Sequence, residues 1–358
     1  MPNKSAKRNK AKQKKKAQLA KAVPKEGAVK PEVAVDTATE VTYSLEALTI
    51  ADNSAPSASS QTPTNSATAA NSMVEVVEIS GKGKGVVALV DIPSGTRIMK
   101  EAPYMVMTAG NPSEVDAKIT KALVGLSAED RAAFQSLHNA DPSHPCANFA
   151  IFDGNALPLG ANSPKGAVYP TLCRINHSCI PNAHHSWNEN LEMETIHALR
   201  DISKGEEITI GYFLDGCRAE RRAHLQNKFG FECNCEACSA SDDKVAESDE
   251  RRRQIAMLNA QIGKPLRVGM MPADVLEECA VVLCLLEEEY GKDTALAAST
   301  YYDSFQVAAC HGYAPGAKTF ARGAYRCRVK VEGEDSPETI RMKEFSEDPS
   351  LHPAWDIF

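Results

Sequence analysis

Residues 231–238 read FECNCEAC and place three thiols, Cys233, Cys235 and Cys238, within one short segment. Three thiolates this close can share one cation, and tetrahedral sulfur coordination suits Zn²⁺. A closed structural site needs one more ligand. The chain must therefore fold so that a distant side chain returns to this segment. Cys179 and Cys217 are the nearest thiols in sequence, and spacing alone leaves both open. The alternative is three unrelated thiols. Cys279, Cys284, Cys310 and Cys327 fall on helical patterns and read as small buried apolar residues. Reduced thiols are the expectation for an intracellular chain.

Charge divides the chain. The 358 residues carry a formal net charge of −7, but residues 1–30 alone sum to +10 and the rest to −17. That excludes a uniformly basic nucleic-acid binder and a uniformly acidic disordered chain. At 43% hydrophobic, the body is able to bury a sizeable core. No apolar run reaches the ~20 residues that a membrane-spanning helix needs. The basic start lacks the apolar stretch of a signal peptide and the amphipathic, Arg-rich character of a transit peptide. Residues 1–72 read as a disordered tail, Lys-rich and then Ser/Thr/Ala-rich. The Lys run suits nuclear import, a chromatin, nucleic-acid or ribosome contact, or simply a solvated tail.

From Met73 the pattern is β-rich. Short strands are expected at Val74–Ile79, Val86–Val90 and Arg97–Glu101, with GKGKG at 81–85 as a turn. Residues 112–138 switch to helical spacing, so a small helical insert interrupts the strands. Residues 153–171 read as loop. Strands return at Ala183–Asn188, Leu191–His197 and Glu207–Tyr212. Arg218 to Phe229 reads as a helix closed by Gly230. SASDDKVAESDE reads as a polar linker, and four or five helices follow in a TPR-like array.

Two further segments carry chemistry. Arg174 to Asn182, RINHSCIPN, is a dense polar knot between apolar flanks. Taken alone it reads as an Asx/Pro turn with a satisfied histidine. A thiol hydrolase built on Cys179 and His177 is a poor reading, because neighbouring side chains on one turn rarely reach each other productively. Lys204 to Tyr212, KGEEITIGY, reads as a turn and a strand ending in a tyrosine, more often packing than catalysis. The Gly-x-Gly at 83–85 does not open a helix, which disfavours a dinucleotide fingerprint.

In order, GKGKG, NHSCIPN, GEEITIGY and CNCEAC resemble the SET-domain protein lysine methyltransferases, specifically the SMYD-like branch and its fungal relatives. The resemblance covers residues 73–240 well and the C-terminal helices loosely, through GEDSPET. It implies an α+β architecture: a β-rich SET fold with a knot-like crossing over residues 73–212 and a helical insert at about 103–150. A post-SET zinc segment would span 213–240, and a TPR-like helical region 241–358. It implies S-adenosylmethionine as cofactor, one structural zinc ion and a protein substrate whose lysine enters a narrow channel. A monomer without membrane attachment, nuclear and/or cytoplasmic, is expected.

Carried over by residue, Lys82, Gly83, Lys84 and Gly85 would meet the methionine end of the cofactor. Asn176 and His177 match its Asn-His contact, and Phe231 an aromatic packed on adenine. Phe149, Phe229 and Tyr212 would line the channel, with Tyr212 as the catalytic tyrosine. Cys179 matches the fourth zinc ligand beside Cys233, Cys235 and Cys238, in preference to Cys217. Two departures stand out. Ala147 occupies the place of a cofactor-binding asparagine, so Asn148 would have to substitute. The insert also lacks the Cys/His set of a MYND finger. A weakly active or inactive SET-fold interaction module on chromatin or ribosomes is the alternative.

Overall fold

The computed structural model describes residues 73–358; the basic and Ser/Thr/Ala-rich tail assigned to 1–72 lies outside the described residues. The chain opens with a hairpin of β1 (Val74–Ile79) and β2 (Gly83–Ala88), paired antiparallel from Val74↔Ala88 to Ile79↔Gly83. GKGKG is therefore only partly a turn. Gly81 and Gly83 take positive φ angles of 75° and 71°, and the Lys82 N–H closes the turn on the Ile79 carbonyl at 3.0 Å. The strand then starts at Gly83, three residues before the expected Val86.

β3 (Arg97–Glu101) and β4 (Met105–Thr108) lead into the insert, which holds α1 (Pro112–Gly125), α2 (Ala128–Gln135) and α3 (Ala147–Asn155). Asn111 and Ser127 cap the first two helices through their side chains. The expected loop at 153–171 instead carries β5 (Leu157–Pro158) and β6 (Lys165–Val168), which form a sheet with β4. These strands are too short and too Gly/Pro-punctuated for alternation to mark them.

β7 (Asn176–His177), β8 (Ala183–Asn188), β9 (Met193–Ala198) and β10 (Glu207–Ile210) complete the sheets. One sheet runs β1-β2-β10-β7 and another β3-β9-β8. β10 pairs antiparallel with β2 but parallel with β7, in the register Thr209↔Asn176 and Ile210↔His177. A core of Val86, Ile98, Ile175, Ile196, Ile208 and their neighbours lies under these strands. Each such side chain contributes about 1.5–3 kcal/mol when fully buried. The Glu101 carboxylate accepts the backbone N–H groups of Thr171 and Leu172 at 3.0 and 2.9 Å, fixing the helical turn before β7. Burial raises its pKa despite these bonds.

Beyond β10, α4 (Arg218–Phe229) ends at Gly230, whose left-handed φ of 73° makes it the expected C-cap. A short helix, α5 (Glu236–Ser239), holds the last cysteine of the cluster. The expected polar linker is the first half of a continuous helix, α6 (Asp242–Ile262). Ser241 precedes acidic Asp242 and Asp243, which favour a helix N-terminus, so a polar stretch reads as linker while folding as helix. α7 (Pro265–Met270), α8 (Pro272–Tyr290), α9 (Ala295–Cys310), α10 (Ala314–Glu332) and α11 (Pro337–Glu347) follow. Buried Ala308, Ala309, Ala317, Ala321 and Ala324 let α9 and α10 approach closely. α10 also packs on β8 and β9, where Arg97 forms an ion pair with Asp335 and Asn188 donates to the same carboxylate at 3.2 Å. Among the described residues, no helix is long and apolar enough to cross a membrane.

Candidate active site and metal centre

The parallel β7–β10 pairing makes one place of two segments about 30 residues apart. It sets Asn176-His177 alongside the strand that ends before Tyr212, and the Ser178 N–H continues the pairing to the Ile210 carbonyl at 3.0 Å. His177 Nδ1 accepts the Tyr212 backbone N–H at 3.0 Å. The histidine is 5% exposed, and burial pushes its pKa down to about 4, so it is a neutral acceptor at physiological pH. The Tyr212 hydroxyl donates to the Ile175 carbonyl at 2.6 Å. Burial raises the phenol above its ordinary range and keeps it protonated.

Aromatic rings surround this pair. Phe229 lies 5.0 Å from the Tyr212 ring, and Phe231 sits edge-on to it at 6.4 Å. Phe231 is also 6.2 Å from the His177 ring. From the other side, Asn176 Nδ2 donates to the Lys84 carbonyl at 3.2 Å and to Glu207 Oε1 at 2.8 Å. A Cβ on Gly85 would stand 2.8 Å from Asn176 Nδ2, so only glycine lets the strand pass this close. Lys82 pairs with Glu207 at 2.6 Å.

The expected Lys82, Gly83, Lys84, Gly85, Asn176, His177, Tyr212, Phe229 and Phe231 thus lie on adjoining elements. Asn148 and Phe149 do not join them by any contact found among the described residues. The Asn148 amide donates to Thr120 on α1 at 3.0 Å, and Phe149 packs in the core of the insert, its backbone N–H bonded to Asp116 at 2.8 Å. The residue type at 148 suggested substitution for Ala147, but helix α3 turns it toward α1.

The fourth cysteine is Cys179. Its sulfur and those of Cys233, Cys235 and Cys238 all lie within 4.8 Å of one another, with Cys179 3.6 Å from Cys238 and 4.0 Å from Cys233. Sulfurs bound tetrahedrally to zinc at ~2.3 Å stand ~3.8 Å apart, so the spacing fits a zinc ion. Hydrogen bonds among the four thiols couple their titration, lowering Cys235 and Cys238 while raising Cys179 and Cys233, as expected of buried sulfurs that share protons. Cys217 sits outside this cluster, at the N-cap of α4, where its backbone N–H donates to Glu220 at 2.7 Å. His177 Nε2 does come within 3.4 Å of Cys179 Sγ, closer than neighbours on a turn were expected to be. That sulfur, however, belongs to the four-thiol cluster.

Sequence reading passed over the arginines that hold the cluster. Arg221 Nε donates to Cys179 Sγ at 3.3 Å, and Arg222 donates to the Cys233 and Cys238 carbonyls at 3.1 and 3.2 Å. Only their adjacency on the helix preceding the cysteines hinted at it. Arg174, inside the NHSC segment, clamps the end of α2 through the Ser136 and Ala133 carbonyls, both at 2.8 Å.

Strand pairing, aromatic enclosure and a cysteine cluster closed by the NHSC segment define a SET domain, and the SET domain family matches residues 83–213. The histone-lysine N-methyltransferase set5 of Schizosaccharomyces pombe is 33% identical over 294 residues, covering 79% of this chain and 88% of that protein. The protein-lysine N-trimethyltransferase SMYD5 of Gallus gallus is 47% identical over 95 residues, 25% of this chain and 22% of that one. The histone-lysine N-methyltransferase SET5 of Saccharomyces cerevisiae is 42% identical over 79 residues, 22% and 15% of the two chains. The chain belongs to the SET-domain protein-lysine methyltransferases, in their SMYD-like branch.

Proposed function

We propose that the protein transfers a methyl group from S-adenosylmethionine directly to the side-chain amine of a lysine in a protein substrate. The observation that carries this reading is the joining of Asn176-His177 to Tyr212 within a ring of aromatic side chains. The cofactor supplies an activated methyl on a sulfonium. Gly83 and Gly85 would let backbone approach its amino-acid end, with Asn176 and His177 beside it and Phe231 against its base. Lys82 would have to exchange its Glu207 partner to receive a carboxylate.

Loss of water around the entering lysine disfavours the charged ammonium, so its proton passes to solvent and the neutral amine is the attacking form, with the thioether of the cofactor as leaving group. The Tyr212 proton is already committed to the Ile175 carbonyl, so toward the substrate its oxygen is an acceptor. It would orient the amine and place its dipole where charge changes during transfer. A buried phenol of raised pKa is a poor general base, and none is assigned. The four thiols would hold one zinc ion as a structural tie between the NHSC segment and Phe229–Phe231.

Histone lysines are the first substrates to test, since a relative matched over most of its length is named for them. We read 73–212 as the catalytic unit, with the β7–β10 pairing as part of a knot-like crossing. Residues 213–240 are read as the zinc segment and 241–358 as a TPR-like helical region. A nuclear or cytoplasmic monomer fits this reading, with the basic tail as its address. Incubation with labelled S-adenosylmethionine, core histones and soluble cell extract should label discrete bands on lysine; label on no protein would overturn the assignment.

A further inference from the structure

Two carbonyls mark the exits of the active-site strands: that of Cys179 after His177, and that of Leu214 after Tyr212. One guanidinium takes both. Arg252, on α6 and 4% exposed, donates to the Cys179 carbonyl at 3.0 Å and to the Leu214 carbonyl. Its Nε donates to Glu289 of α8 at 2.7 Å. Tyr290 completes the arrangement: its ring centroid lies 4.8 Å from the guanidinium carbon, and its hydroxyl donates to the same Leu214 carbonyl at 3.3 Å. A buried charge costs several kcal/mol unless its hydrogen bonds are met. Here each edge of the planar fork is engaged, an arrangement that a lysine ammonium cannot reproduce.

We propose that Arg252 is a positioning residue for methyl transfer. It touches no reacting atom. By bridging the two exit carbonyls it fixes the spacing between His177 and Tyr212, so that helices α6 and α8 complete the active site instead of merely packing beside it. This inference rests on the reading of Tyr212 given above. Arg251 provides the control. It donates to the same Glu289 at 2.8 Å from the same helix but makes no bond to either carbonyl.

The test compares the full chain with its Arg252→Lys, Arg251→Ala and Tyr212→Phe variants, using tritiated S-adenosylmethionine and core histones plus soluble extract as acceptors. Arg252→Lys should lose roughly 10- to 100-fold in kcat, as small misplacements of reacting groups do. Its KM for S-adenosylmethionine should stay within about threefold, since no group that contacts the cofactor is removed, with zinc content unchanged. Arg251→Ala should keep wild-type kcat even where its melting temperature falls. Full kcat in Arg252→Lys, or an equal kcat loss in Arg251→Ala, would overturn the proposal. If Arg252→Lys does not fold, Arg252→Gln, whose single amide cannot bridge both carbonyls, decides: a lowered kcat at constant KM supports the clamp, and an unchanged kcat overturns it. An active wild type matched by Tyr212→Phe would instead overturn the reading of Tyr212, and the inference with it.

Discussion

His177 accepts the backbone N–H of Tyr212 through Nδ1 at 3.0 Å, across the parallel β7–β10 pair. The motif histidine thus holds the tyrosine's main chain while its ring packs 5.4 Å from the phenol ring. Removing the acceptor leaves a half-buried N–H without its protein partner, at a cost of about 1 kcal/mol. His177→Ala should therefore lower both thermal stability and methyl transfer, and His177→Asn, which retains an acceptor, should lose less of each. Melting curves and initial rates on the same preparations check this; equal loss in both variants would remove the hydrogen bond from the explanation.

Gly85 makes a second, purely steric prediction. An added Cβ would meet Ile79 Cγ1 at 2.5 Å, Asn176 Nδ2 at 2.8 Å and Glu207 Oε1 at 3.1 Å. Gly85→Ala should displace these three side chains, cost about 1–3 kcal/mol and weaken S-adenosylmethionine binding. Calorimetric titration reads the affinity directly, and wild-type affinity would show that this approach does not shape the cofactor site.

The metal centre predicts a coupled loss. Cys235→Ser should lower bound zinc below one per chain and destabilise the segment that carries Phe229 and Phe231, because a structural site contributes folding energy. Atomic absorption with hydrogen exchange over residues 213–240 is the measurement. Unchanged zinc would refute the four-thiol site.

Much of this site was legible beforehand, for identifiable reasons. Clustered cysteines and the polar NHSC segment carry their chemistry in local spacing, so Cys233, Cys235 and Cys238 stood out. The choice of Cys179 over Cys217 needed the family resemblance, since only the fold brings residue 179 to the cluster. The sequence does not carry the helix phase at Asn148, and α3 turns its amide to Thr120. Arg221, Arg222 and Arg252 stayed hidden because charged residues on helices are usually solvated; burial comes from tertiary packing. The polar start of α6 was hidden for the converse reason, since capping and acidic first-turn residues also occur in linkers.

Acid should destabilise the fold through His197. The ring is 1% exposed and its Nε2 accepts from Arg97 at 3.1 Å; burial first, then Arg97, lowers its pKa to about 4. An unfolded histidine titrates near ~6.5. The native state therefore prefers the neutral ring. Its stabilisation is complete above pH ~6.5 and is lost as pH falls through about 4, by roughly 3 kcal/mol in all. Urea melts at pH 7 and pH 4.5 should differ less in His197→Gln than in the wild type. An identical pH dependence would show that this histidine does not set it.

The central claim concerns Tyr212, and it is tested most directly by single-turnover transfer of labelled methyl from S-adenosylmethionine to protein lysine, wild type against Tyr212→Phe. Transfer by Tyr212→Phe should be slower by roughly 100-fold or more, with cofactor affinity nearly unchanged, since one oriented polar group is removed from the reacting centre. An undiminished rate in the phenylalanine variant would contradict the claim.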